Sequence, residues 1–119
     1  WGRSDKPAYP AAYNGVVAVT ALDTRGLIYS RANTGSYIDF SAPGVRIYTA
    51  APGGGGRLQS GTSFASPFIT AIMALDIKNG NGKTMSSLKK LLKQNIKDLG
   101  APGRDDIFGW GFVRRKPQC

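Results

Sequence analysis

"SGTSFASPF", Ser60 to Phe68, sets a hydroxyl-rich turn directly before a long apolar stretch. Gly61 frees the backbone for a sharp turn and leaves no Cβ in the path of an approaching group. Thr62 and Ser63 then stand at the head of a helix, where the first N–H groups lack partners and the dipole is positive. An oxygen that gains negative charge during acyl transfer would be stabilised there by the Ser63 N–H. Ala65 is small, as close packing beside Ser63 requires. Pro67, four residues after Ser63, withholds the N–H that the Ser63 carbonyl would normally accept, and its ring presses on that carbonyl. Ser63 is therefore a candidate nucleophile, with Thr62 supporting the oxyanion environment. A Ser/Thr cap with proline in the first turn would give the same residues without chemistry, so this stretch alone leaves both readings open. The sequence contains no histidine, and nothing in the spacing places a lysine near Ser63 to take its proton.

Working outward, the apolar residues from Thr62 to about Lys78 surround the helix. Phe64, Phe68, Ile69, Ile72, Leu75 and Ile77 fall on all sides, which predicts a buried central helix. "NGNG", Asn79 to Gly82, ends it. Thr84 caps a second, surface helix whose stripe of Met85, Leu88, Leu91, Leu92 and Ile96 lies opposite Lys89, Lys90, Lys93 and Lys97. Upstream, residues 1–13 read as loop, and the apolar run Val16 to Val19 as a strand buried on both faces. "GLIYS" and "SYIDF" suggest shorter strands, and "APGVRIYTA" another, with Pro43-Gly44 as a turn before Val45. "APGGGGRLQS" reads as loop, and "IFGWGFV" as a closing strand or hairpin.

A chain of 119 residues suffices for one domain with a modest core. No apolar run approaches a membrane span, so a soluble chain without a membrane partner is expected. Sixteen Lys and Arg against seven acidic residues give a net charge of +9, enough to attract acidic partners if clustered. A solvated helix face plus the tail Arg114, Arg115 and Lys116 accounts for the clusters, and few aromatics accompany the lysines, so no nucleic-acid partner is expected. Cys119 is the sole cysteine, which excludes an internal disulfide and leaves a free thiol or a pairing outside the chain.

Three other motifs fail on context. "GKT" at Gly82 to Thr84 has Ile77 where a phosphate-binding loop needs its first glycine. "SSLK" at Ser86 to Lys89 fits a Ser-x-x-Lys pattern but opens an amphipathic helix, where such residues are ordinary. Gly61 to Ala65 resembles the lipase elbow, yet no hydrophobic strand precedes it and no histidine follows.

Four blocks together resemble the C-terminal part of a subtilisin-like serine protease catalytic domain, spanning about Pro7 to Val113. "SGTSFASP" is similar to the family's Gly-Thr-Ser-x-Ala-x-Pro signature, "YPAAYNGVVAVTALD" to its Tyr-Pro-Ala block and following strand, "GSYIDFSAPGVRIYTA" to its Ala-Pro-Gly block, and "DDIFGWGFV" to its closing segment. The resemblance implies an α/β, parallel-sheet fold over residues 1–113, with a buried central helix starting at the nucleophile and a second amphipathic surface helix, then a basic tail over 114–119. It assigns Ser63 as nucleophile and Thr62 as oxyanion support. Ala8, Tyr9 and Pro10 match the floor of the primary specificity pocket, with Tyr9-Pro10 cis, and Gly61 and Phe64 complete the substrate-binding set. Phe64 stands where the family often has Met and would narrow the leaving-group side.

The family's triad aspartate and histidine, and its oxyanion asparagine, lie upstream of these blocks, and Trp1-Gly2-Arg3 comes too late to supply the last. The expectation is the nucleophile-bearing portion of a secreted or periplasmic endopeptidase that acts on peptides or proteins and is inactive as an isolated chain. It needs no cofactor of its own, and the resemblance allows calcium in the complete enzyme. The chain should bind the complementary N-terminal half, self-associate or swap elements. The alternative is a non-catalytic basic binding module derived from such a protease.

Overall fold

The computed structural model describes residues 3–115. The readings that concern Lys116, Cys119 and Trp1-Gly2 lie outside the described residues. Six strands and two helices follow in the order β1 (Val19–Leu22), β2 (Phe40–Pro43), β3 (Ile47–Ala50), β4 (Gly56–Gln59), α1 (Thr62–Lys78), α2 (Met85–Lys93), β5 (Ile96–Lys97) and β6 (Phe112–Val113). One sheet has the order β1-β2-β6-β5, and β3 and β4 form a separate hairpin. β1, β2 and β6 run parallel, with Val19 opposite Phe40 and Ser41 opposite Phe112, while β5 is antiparallel to β6. The expected α/β fold with a parallel sheet and two helices is thus present.

Helix α1 lies on β1 and β2 because the facing residues are small. Ala21 and Ala42 from the sheet meet Ala65 from the helix, and Ile69, Ile72, Phe40, Leu92 and Val113 fill the rest of the core. Gly44, just past β2, is a tight point of this packing. A Cβ there would sit 2.5 Å from the Ala21 Cβ, 2.8 Å from the Gly61 carbonyl oxygen and 3.1 Å from the Ala65 Cβ. Close packing leaves no slack at such a point.

Several expectations need correction. The strand expected at Val16 to Val19 begins at Val19 and runs to Leu22, and Val16 is exposed. "GLIYS" contributes one bridge, Ile28 to Leu22, and "SYIDF" only its last residue. "APGVRIYTA" is not one strand: Pro43 ends β2, Arg46 takes φ 55, and β3 starts at Ile47. The glycine-rich stretch is not simply loop. Gly53, Gly54 and Gly55 have positive φ and turn the chain so that Gly56–Gln59 pairs with β3. Helix α1 has the expected bounds, but within this chain it buries one face only, Ala65, Ile69, Ile72 and Asp76, while Phe68 and Ile77 are 42% and 57% exposed.

Helix α2 is capped as expected. Thr84 and Ser87 satisfy each other's backbone N–H groups in a capping box. It ends at Lys93, so Ile96 and Lys97 belong to β5 and not to the helical stripe. Nor are its lysines merely solvated: Lys89 Nζ reaches both Asp39 carboxylate oxygens at 3.1 and 3.0 Å, and Lys93 Nζ stands 3.8 Å from the centre of the Trp110 ring. Arg114 donates its N–H to the Asn95 carbonyl, and the Arg115 guanidinium meets Asp76, which is fully enclosed. That meeting is an ion contact without hydrogen-bond alignment, since both Asp76 oxygens lack a hydrogen-bond partner.

Candidate active site

Ser63 sits in the first turn of α1 and is exposed. The chain reaches it through two bonds to the segment after β2: the Gly61 N–H donates to the Gly44 carbonyl at 2.8 Å, and Ser60 Oγ accepts from the Arg46 N–H at 2.9 Å. Gly61 is the N-cap with φ 161 and ψ 158, which is extended backbone, so the sharp turn expected of it is absent. No side chain caps this helix end, and its first turn holds no acidic residue. The Phe64 N–H donates to the Gly61 carbonyl at 3.0 Å, while the Ser63 N–H has no partner among the described residues and is open to a bound oxygen at the positive end of the dipole. Ala65 is fully buried directly below. Ser66 Oγ donates to the Thr62 carbonyl at 3.2 Å, which holds the turn that Pro67 would otherwise loosen.

A cleft of about 840 Å³ opens at this point, with Gly61, Thr62 and Ser63 on one wall. Ala8, Tyr9 and Pro10 belong to the same wall set, and the Tyr9-Pro10 bond is cis, as expected. Five of the sequence-derived candidates besides Ser63 thus converge on one cavity. Phe64 is not on its wall; its ring lies beside Gly61, 3.5 Å from where a Gly61 Cβ would stand. Residues that the motif reading did not single out complete the cleft: Thr20 from β1, and Tyr29, Arg31, Asn33 and Tyr37 from the β1–β2 connection. Thr20 is fully buried and its Oγ1 has no hydrogen-bond partner. No local pattern marks these residues, because only the tertiary placement of β1 and of residues 23–39 carries them to Ser63.

The carboxylates elsewhere are mostly committed to N–H groups or cations. The Leu27 N–H, followed by the Arg25 guanidinium, holds the half-buried Asp23 carboxyl below the ordinary aspartate range. Among the described residues no three His, Cys, Asp or Glu side chains gather so as to hold a metal ion. No described helix is long and apolar enough to cross a membrane.

A hydroxyl at a helix N-terminus thus stands on the wall of a cleft beside a largely parallel sheet. The profile of the Subtilase family (peptidase S8) matches residues 2–111, and the chain belongs to that family. It is 39% identical over 118 residues to the minor extracellular protease Epr of Bacillus subtilis, covering 99% of this chain and 18% of that protein. It is 34% identical over 105 residues to a thermostable alkaline protease of Halalkalibacterium halodurans, covering 88% and 28%. Among solved structures, the patellamide maturation protease PatA superposes with a TM-score of 0.75 at 32% identity, over 93% of this chain and 44% of that one. The chain therefore spans less than half the length of these relatives.

Proposed function

We propose that the chain is the nucleophile-bearing portion of a subtilase endopeptidase. Ser63 Oγ attacks the carbonyl carbon of a peptide bond, and the oxyanion is held in part by the Ser63 N–H, with Thr62 shaping that environment. The serine proton passes to a histidine outside these 119 residues, and returns to the leaving amine as the acyl-enzyme forms. Water then releases the acyl group by the same route. Ala8, Tyr9 and Pro10 form the floor beneath the substrate side chain, and Gly61 lines its path. The observation that carries this reading is the exposure of Ser63 on the wall that Ala8, Tyr9 and Pro10 share.

A complementary N-terminal portion supplies the base and covers the outer face of α1, where Phe68 and Ile77 are exposed. Without it, these apolar residues and the β1 edge favour self-association. The extracellular character in the name of the Bacillus relative supports secretion. A serine-directed fluorophosphonate tests the reading. The full-length protease should be labelled rapidly at Ser63, and its Ser63→Ala variant should be inert, while the 119 residues alone should label no faster than free serine. Rapid labelling of the isolated chain would refute the external base, and an unreactive full-length protein would refute the proteolytic reading.

A further inference from the structure

We infer that the cleft beside Ser63 selects peptides bearing Asp or Glu next to the cleaved bond, through Lys6 and Arg31; this rests on the proteolytic reading. Both residues line the cleft and are exposed, and no carboxylate among the described residues lines it with them. Neither takes part in the ion pairs of the described residues, which join Arg25 to Asp23, Lys89 to Asp39, Arg104 to Asp106 and Arg115 to Asp76. Asp98 and Asp105 accept backbone N–H groups, and Asp5, beside Lys6 in sequence, is exposed but not on the wall. Among the described residues the positive charge of Lys6 and Arg31 is thus uncompensated by any carboxylate in the cleft. The wall adds neutral partners for an anion, the Tyr29 and Tyr37 hydroxyls and the Asn33 amide, and the buried Thr20 hydroxyl lacks any partner among the described residues. A basic substrate side chain would meet like charge and find no acceptor carboxylate.

Because both cations are solvated, each contributes roughly threefold, and the two together give roughly a tenfold preference at low salt. The test is a panel of matched internally quenched peptides, with Asp, Leu or Lys flanking the scissile bond, offered to the full-length protease. The ratio of kcat/KM for the Asp peptide over the Lys peptide should be roughly ten at about 0.02 M salt and shrink at about 0.5 M. Arg31→Glu and Lys6→Glu should each lower that ratio severalfold, and together invert it. Lys90→Glu, on the exposed face of α2, should leave it unchanged. A ratio near one, or a ratio indifferent to both reversals, would overturn the inference while proteolysis stands. Failure to cleave any peptide would overturn the proteolytic reading and the inference with it.

Discussion

Replacing Gly44 by alanine tests the packing on which the position of Ser63 depends. The added methyl would stand 2.5 Å from the Ala21 Cβ and 2.8 Å from the Gly61 oxygen, and neither neighbour has a rotamer to move away. Reaching ordinary contact at 3.4 Å requires the Ala21 separation to open by about 0.9 Å. Overpacking of this kind costs about 1–3 kcal/mol, and loosening the bond from the Gly61 N–H to the Gly44 carbonyl costs about 1 kcal/mol more. A stiffer unfolded chain returns about 0.4–1 kcal/mol. The net loss should be about 2–3 kcal/mol, which lowers a urea midpoint by about 1–1.5 M. Ala21→Gly removes the closest contact, so the double variant should recover more than the single losses predict, with a coupling of about 1 kcal/mol. Since Gly61 precedes the serine, acylation of Ser63 by a fluorophosphonate in the full-length protein should slow by about tenfold or more. A Gly44→Ala midpoint equal to that of the parent, or strict additivity with Ala21→Gly, would refute the reasoning.

Thr84→Ala should cost about 1 kcal/mol and raise hydrogen exchange at the Ser87 N–H, because it removes half of the capping box. Arg115→Met should cost about 3–5 kcal/mol by leaving the enclosed Asp76 carboxylate unpaired, whereas Asp76→Leu should stay within about 1 kcal/mol, because Arg115 can turn to solvent; denaturant unfolding of the two variants checks the contrast. Asp23 has a folded pKa below its unfolded value, so its contribution is present above the unfolded pKa and disappears as pH falls through the folded one. NMR titration should find Asp23 protonating at lower pH than ordinary aspartates, and Asp23→Asn should remove that part of the acid response.

What could be read from residues alone divides along the range of the forces involved. The ends of α1 and α2 were legible because their chemistry is local: Gly80 takes positive φ after the Asn79 cap, and Thr84 bonds Ser87 three residues on. Strand limits were not, because pairing decides them. Val19 is in the ladder because Phe40 lies beside it, while Val16, just as apolar, instead gives its carbonyl to Lys89. Gly56–Gln59 contains no β-branched residue and becomes a strand only through the turn that sets Ile47 opposite Gln59. The apolar girdle of α1 said that every face wants cover, and the described residues cover one. At the site, the motif and the Tyr-Pro block announced Ser63, Ala8, Tyr9 and Pro10, but Thr20, Arg31 and Tyr37 reach the cleft through tertiary placement that no short pattern encodes.

The hydrogen bond between Gly44 and Gly61 also makes the hairpin of β3 and β4 a side excursion that departs from and returns to one anchorage. Lengthening its glycine tip would add only about 0.6 kcal/mol of closure entropy per doubling. A graft at Gly53–Gly55, such as an epitope or a docking peptide, would therefore hang from the domain like a pendant while the serine keeps its station.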